Sequence, residues 1–98
     1  MVKQGDIVTV RGIKHPMLVV SKNSYNKTGN MLVCPIVKEE PDILLKVYFE
    51  TPQILGYVCC DSIRQLCWED RGCSNKGSIP IAKLLYVLDM ISSIFDFI

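Results

Sequence analysis

The segment from His15 to Val37 constrains the fold of this chain more than any other part of the sequence. It contains two apolar runs, Met17–Val20 and Met31–Val33, which are rich in Val and Leu and have the length of β-strands. Segment 21–30 joins them and consists mainly of Ser, Asn, Lys, Thr and Gly, which favour turns. Together they predict a β-hairpin with a long, polar and cationic tip.

Four other short apolar runs predict strands on either side of this hairpin. Glycine, proline or charged residues separate the runs, as expected for short connections. The predicted strands are Ile7–Val10, Ile43–Phe49, Gly56–Cys60 and Leu66–Trp68. Asp70–Ser78 contains two glycines and is predicted to be a turn-rich connection.

The last part of the chain has helical periodicity. Its apolar residues recur with a period of about 3.6 residues. They are Ile81, Leu84, Leu85, Leu88, Ile91, Phe95 and Ile98. Ser78 is predicted to cap a helix that begins near Pro80. The apolar face is wide, which predicts that one side packs on the sheet and a flank contacts another protein. Charged residues interrupt the segment, so a membrane span is not expected.

These elements predict a mainly β domain with a C-terminal helix, built as a small β-barrel or a strongly bent sheet that the helix covers. The length of 98 residues fits one domain, residues 1–98. Hydrophobic residues make up 49% of the chain, which predicts a surface covered by a second subunit. Because the net charge is only +1, a basic site must be a local patch.

The cysteine and histidine content predicts no metal site and no cofactor. The number of cysteines is five, which is odd. His15 is the only histidine, and no Cys–Cys or Cys–His spacing typical of a metal site is present. Reduced, buried thiols in a cytoplasmic protein are therefore expected. The polar start, MVKQGD, predicts no signal peptide.

Two prolines constrain the hairpin locally. Pro16 disfavours helical conformation at His15 and holds that residue extended. Pro35 cannot donate a ladder hydrogen bond, which predicts a bulge, a strand end or a sheet edge.

The motifs GDIVTV, HPMLVVS, SYNKTG and CPI resemble, in this order, those of the MazF/PemK/Kid toxins of bacterial toxin–antitoxin systems. The resemblance continues through Gly56–Arg64 and Trp68–Gly77 and covers nearly the whole chain. It implies a small SH3-like β-barrel of the CcdB/MazF type that forms a homodimer and is neutralised by a largely disordered antitoxin peptide. It also implies cleavage of single-stranded RNA through attack by the ribose 2′-hydroxyl, which leaves a cyclic phosphate.

Two positions depart from the pattern of that family. The arginine that the resemblance implies as catalytic is His15 here, and the catalytic threonine is Val37. Histidine can donate or accept a proton near neutrality, whereas valine can do neither. His15 is therefore the candidate catalytic residue. The connection before it, about Arg11–His15, is shorter than the RNA-binding loop usual in the family.

The candidate RNA-binding residues are cations and one aromatic residue near the predicted hairpin. Cations neutralise phosphates, and an aromatic ring can stack on an unpaired base. The candidates are Arg11, Lys14, Lys22, Tyr25, Lys27 and Lys38. The alternative for the hairpin tip is a solvated turn without ligand.

Three further positions have structural and functional interpretations. Asp61 is predicted to cap one helical turn and to pair with Arg64; contact with substrate or antitoxin is the alternative. Trp68 is predicted to be a core or interface anchor; a platform on which a base stacks is the alternative.

Two functions follow from these features. The first is a cytoplasmic, metal-independent endoribonuclease toxin, a homodimer whose RNA groove runs between the subunits, with no membrane contact. The second is a catalytically silent module of the same fold that binds RNA, an antitoxin peptide or another protein target. A distant variant of the second is gyrase poisoning, since the related CcdB toxins share the fold; the feature that suggests it is the aromatic end Phe95–Ile98.

Overall fold

The computed structural model describes residues 1–95 as a bent, half-barrel β-sheet with a C-terminal helix, as predicted. The strands are β1 (Asp6–Val10), β2 (Met17–Val19), β3 (Asn30–Val37), β4 (Lys46–Glu50), β5 (Leu55–Cys59), β6 (Arg64–Cys67) and β7 (Cys73–Ser78). The helices are α1 (Asn23–Asn26) and α2 (Ile81–Ile94). The predicted continuation of the helix to Ile98 and the aromatic end at 96–98 lie outside the described residues.

Strand β3 is the centre of the sheet, whose strand order is β4-β5-β3-β2-β1-β7. One edge of β3 pairs with β2, as the predicted hairpin requires, with Leu18 opposite Cys34. The other edge pairs first with β6 and then, nearer its end, with β5. All of these pairings are antiparallel. Because β3 changes its partner, the sheet has two sections. In one section β4 and β5 pair beside the end of β3, and in the other the remaining strands pair with β3 or with one another.

Pro35 lies inside β3 and neither at a strand end nor at a sheet edge. The amide of Ile36 donates to the carbonyl of Pro16 (2.8 Å), so by alternation the nitrogen of Pro35 faces the other edge of β3. On that edge, the pairing with β6 stops at Val33 and the pairing with β5 begins at Ile36. The proline therefore costs no ladder hydrogen bond, because it occupies the gap between two partners.

The hairpin tip contains the single helical turn α1, where the sequence predicts only turn residues. The side chain of Asn26 is fully buried and pairs with Ser21. Ser21 Oγ donates to Asn26 Oδ1 (2.5 Å), and Asn26 Nδ2 donates to the carbonyl of Ser21 (3.0 Å). The indole Nε1 of Trp68 donates to the carbonyl of Asn26 (2.9 Å). Buried hydrogen bonds therefore hold the tip against the sheet, and Trp68 anchors it from the core side, as predicted.

The sheet is apolar on both faces, which explains the uninterrupted apolar runs. Neighbouring residues of β1 and β2 belong to different core clusters: Ile7 and Leu18 to one, Val8 and Met17 to the other. Helix α2 covers the first cluster through Leu84 and Val87. The sequence of a strand that is buried on both faces is a continuous run of hydrophobic residues.

Strand β7 corrects the prediction of a turn-rich connection over Asp70–Ser78. It pairs with β1 at the edge of the sheet, with a bulge opposite Ile7 and Val8. Most of its side chains are exposed. The strand therefore contributes backbone hydrogen bonds rather than apolar side chains, and its polar composition does not predict a β-strand.

Two predicted caps are wrong. Asp61 lies in a hydrogen-bonded turn after β5, and Arg64 already belongs to β6, so no helical turn brings the two together. Within residues 1–95 the one ion pair is formed by Lys46 and Glu40. Ser78 ends β7 rather than capping α2, whose N-cap is Pro80 and carries no side-chain hydrogen bond.

The five cysteine thiols are free. Cys34, Cys59 and Cys60 are buried. Burial raises the pKa of the Cys34 thiol to about 12 and that of Cys60 to about 11, so both are protonated and inert at neutral pH. No helix in the described part of the chain is long and apolar enough to cross a membrane.

Candidate active site

A hollow of about 560 Å³ opens between the β1–β2 connection, the end of β3 and the β4–β5 hairpin. Three separate segments of the chain thus contribute to one concavity. Its lining residues are Lys14, His15, Pro16, Ile36, Val37, Lys38, Glu39, Ile54 and Leu55. The predicted catalytic residue and two of the predicted RNA-binding lysines are therefore brought together.

The position of His15 is set by the pairing of β2 with β3. Pro16 fixes the entry into β2, and its carbonyl accepts a hydrogen bond from the amide of Ile36 (2.8 Å). Continuing this register by one residue places His15 beside Val37. The two positions at which the sequence departs from the toxin pattern are therefore neighbours in the same hollow. The side chain of His15 is exposed and makes no hydrogen bond to any other described residue.

Lys38 reaches the hollow from a connection that β4 holds in place. Lys46, which is 26% exposed, pairs with Glu40 (3.0 Å between Nζ and Oε2). The same Nζ donates to the carbonyl of Pro41 (2.9 Å). Both contacts attach the segment after β3 to the first residue of β4. Lys38 begins that segment, two residues before Glu40, so these contacts hold the backbone close to Lys38.

The floor of the hollow depends on a close approach of β5 to β3 at Gly56. A Cβ atom at this position would lie 2.8 Å from Ile36 Cγ2 and 2.8 Å from the carbonyl oxygen of Val37. Any residue other than glycine would push the strands apart. The approach brings Ile54 and Leu55, which precede Gly56, to the wall of the hollow.

The remaining candidate residues lie elsewhere. Arg11 lines a separate hollow with Gly72 and Ser74. Lys22, Tyr25 and Lys27 belong to the tip around α1 and do not line the hollow at His15. The predicted RNA-binding set is therefore divided among three places on the surface.

The hydroxyl of Tyr25 is already engaged, because it accepts a hydrogen bond from Gln65 Nε2 (3.0 Å). The exposed side chains of Lys22 and Lys27 flank it on the tip. The ring of Tyr25 is half-buried, so one part of it remains accessible for stacking.

Sequence reasoning did not identify Glu39, Ile54 or Leu55 as parts of the site. Glu39 is adjacent to the predicted Lys38, but nothing in its sequence context separates it from a solvated charge. Ile54 and Leu55 look like ordinary strand residues. The signal that could have found them is Gly56, since a glycine in a strand often marks a close backbone approach.

The charges and surfaces of the hollow suit a phosphodiester better than a metal ion. Two lysines face one glutamate along the lining, which leaves a positive balance. Imidazole can move a proton, ammonium groups can neutralise a phosphate, and apolar side chains can contact a sugar or base. In the described ranges no three His, Cys, Asp or Glu side chains are grouped so that they could hold a metal.

Comparison with known proteins identifies the family. A sequence model described as PemK-like, MazF-like toxin of type II toxin–antitoxin systems matches residues 3–95. A search of curated proteins found no match.

Solved structures are similar over nearly the whole chain. A chain of the MazE–MazF complex (Form-I) from Deinococcus radiodurans is 26% identical, with a TM-score of 0.86 over 95% of this chain and 94% of that one. MazF alone (Form-I) from the same organism is 25% identical, with a TM-score of 0.83 over the same shares of the two chains.

An endoribonuclease in complex with its cognate antitoxin from a mycobacterial species is 19% identical, with a TM-score of 0.84 over 100% of both chains. At this identity the match supports the fold alone. The family match, in contrast, spans almost every residue that the structure describes. The chain therefore belongs to the PemK-like, MazF-like family of toxins of type II toxin–antitoxin systems.

Proposed function

We propose that this chain is an endoribonuclease toxin that cuts single-stranded RNA by attack of a ribose 2′-hydroxyl, without a metal ion. The observation that carries the proposal is the hollow in which Lys14, His15 and Lys38 meet. Membership of the toxin family supports an RNA substrate. The family match over residues 3–95 also supports treating residues 1–98 as one toxin domain.

In the proposed reaction the 2′-oxygen forms a bond to phosphorus and the bond from phosphorus to the 5′-oxygen breaks. The products are a 2′,3′-cyclic phosphate and a 5′-hydroxyl. His15 takes the proton from the 2′-hydroxyl, and an ammonium group of Lys14 or Lys38 donates a proton to the leaving oxygen. The positive charge of both lysines stabilises the phosphorane. The half-buried side chain of Val37 contacts the ribose.

Replacing His15 should weaken cleavage at every site in the RNA. We expect His15→Ala to lower the cleavage rate by at least about tenfold, because one proton transfer loses its catalyst. His15→Gln keeps a polar side chain of similar reach and should be impaired to a similar degree. The measurement is gel analysis of a single-stranded RNA, with identification of both product ends. RNA that stays whole during long incubation at high protein concentration would contradict the proposal.

Replacing Lys46 should weaken substrate binding without changing the fold. In Lys46→Met the segment after β3 loses its hydrogen bond and its ion pair, so Lys38 is less well positioned. We expect KM to rise by about threefold to tenfold while kcat changes less, and Lys46→Arg to retain most of the affinity.

The matched control for this change is Lys83→Met, a half-buried lysine on α2 that does not line the hollow. Thermal unfolding of all three variants checks that the fold is intact. An unchanged KM in Lys46→Met would show that this anchor has no role in substrate binding.

The other candidate residues are proposed as outer RNA contacts. Arg11, Lys22 and Lys27 have exposed side chains that can neutralise phosphates away from the hollow. Tyr25 can stack on a base through the accessible part of its ring.

The second candidate function is a catalytically silent module that binds RNA, an antitoxin peptide or another protein target. The observation that favours it is the composition of the hollow, in which none of the lining residues carries a hydroxyl. Val37 stands where the family resemblance implies a catalytic threonine.

The double variant His15→Arg, Val37→Thr separates the two functions. If the native chain is silent because its site has decayed, the double variant should cut RNA at least about tenfold faster than the native chain. If the native chain already cuts through His15, the double variant should gain less or lose activity. The single variants serve as controls, and identical cleavage by all four proteins would contradict both interpretations of these positions.

We propose an antitoxin peptide as the physiological partner and the cytoplasm as the location. The family description and the MazE–MazF complex from Deinococcus radiodurans support the partner. A short acidic reading frame beside the gene, whose product binds the chain, would be expected. Absence of any such neighbour would count against the toxin role.

We also propose a homodimer. The support is the exposed apolar flank of α2: Ile81 and Leu85 are 71% and 59% exposed and lie one helical turn apart. Sedimentation velocity of the purified chain should report a dimer, and Leu85→Glu should weaken dimerisation by about tenfold or more. Ser62→Glu, an exposed position in the turn after β5, is the control that adds the same charge. A monomeric native chain would contradict the proposal.

A further inference from the structure

A second, smaller hollow adjoins the one at His15. Its volume is about 250 Å³. It is lined by Lys38, Thr51, Pro52, Gln53, Ile54 and Leu55. Three of these residues, Lys38, Ile54 and Leu55, also line the first hollow and so form a shared wall. A chain-like ligand that occupies the first hollow can therefore continue into the second.

The turn that forms most of the second hollow is rigid. Thr51 closes it: its amide donates to the carbonyl of Ile54 (2.8 Å), and its Oγ1 donates to the same carbonyl (3.0 Å). The same Oγ1 accepts hydrogen bonds from the amides of Ile54 (3.1 Å) and Gln53 (3.3 Å). The backbone of this turn is therefore fixed before any ligand binds. Less conformational entropy is lost on binding as a result.

Only one side chain of this hollow is free to read a base edge. The hydroxyl of Thr51 is fully used by the turn, and Pro52 has no backbone N–H. Lys38 offers a charge that suits a phosphate. The side-chain amide of Gln53 is exposed and forms no hydrogen bond with the rest of chain segment 1–95. It offers one acceptor beside one donor, so it can form two hydrogen bonds with the exposed edge of an unpaired base.

The other walls suit the faces of a base. Ile54 and Leu55 are apolar, and Leu55 is 47% exposed in spite of its size. Pro52 adds a flat, rigid apolar surface. A base in this hollow would therefore be held between apolar groups while its polar edge meets the glutamine.

We propose that the second hollow is a base-binding subsite for the nucleotide next to the one held at His15, and that the amide of Gln53 sets its base preference. This rests on the proposed function in so far as the ligand is single-stranded RNA. Lys38, on the shared wall, contacts the phosphate that links the two nucleotides. Gln53 is then a specificity-determining residue, whereas His15, Lys14 and Lys38 act on any sequence.

The test measures binding of short single-stranded oligonucleotides of one base each: oligodeoxyadenylate, oligodeoxycytidylate and oligothymidylate. These probes lack the 2′-hydroxyl and cannot be cut by the proposed reaction. Fluorescence anisotropy gives the Kd of each probe for the native chain, Gln53→Ala, Gln53→Glu and Lys38→Ala. Cleavage of a mixed-sequence RNA is measured with the same preparations.

We expect the Kd values of the native chain for the three probes to differ by about fivefold or more, the lower end for one bidentate amide–base contact. Gln53→Ala should remove this preference, and Gln53→Glu, which keeps the shape but loses the donor, should change it. Lys38→Ala should weaken binding of all three probes by a similar factor.

Two results overturn the subsite: no binding of any probe, or a base preference that is the same in the native chain and in Gln53→Ala. Failure of the subsite can be distinguished from failure of the proposed nuclease activity. Loss of the base preference in Gln53→Ala with no RNA cleavage by any protein would keep the subsite and reject the nuclease.

Discussion

The hydrogen bond from the amide of Ile36 to the carbonyl of Pro16 is the interaction on which the site depends. It extends the β2–β3 ladder by one step beyond Met17 and Pro35, and it thereby fixes which residues meet at the mouth of the hollow. A slip of one residue in this register would turn His15 and Val37 to opposite faces of the sheet. The apolar packing on both faces of β2 and β3 makes such a slip costly, so the core and the site are specified by the same register.

The central strand explains how a sheet of short strands forms a concave surface. Because β3 exchanges β6 for β5 along one edge, the β4–β5 hairpin extends from the end of β3 rather than from its middle. Gly56 allows that hairpin to approach closely. The hollow is therefore a consequence of strand pairing, and the lysines at its rim come from connections that the pairing holds near one another.

The sequence predicts those parts of the fold that bury apolar side chains. The hairpin, β1, β4, β5 and the terminal helix are all marked by apolar runs or by helical period. Strand β7 is not predictable in this way, because it contributes backbone hydrogen bonds at a polar edge. The same is true of the helical turn α1, whose stability comes from a buried contact between Ser21 and Asn26 that no local pattern reveals.

The sequence likewise predicts only part of the candidate site. His15, Lys14 and Lys38 are close enough to the hairpin in sequence to be expected near one another, whereas Ile54 and Leu55 reach the hollow only through tertiary pairing. Arg11 and Lys14 are close in sequence but line different hollows, because the connection between β1 and β2 turns between them. Proximity in sequence predicts a shared region of the surface, and strand register decides which side chains share a concavity.

The most direct test of the account is an NMR titration with a nucleoside 2′,3′-cyclic phosphate, the product end that the proposed reaction leaves. His15 is the only histidine, so its ring resonances can be identified without ambiguity. We expect saturable shifts of the His15 ring resonances together with shifts of resonances from Lys14 and Lys38. If the compound binds and shifts other resonances while those of the His15 ring remain unchanged, the phosphate does not occupy this hollow and the hollow is not the active site.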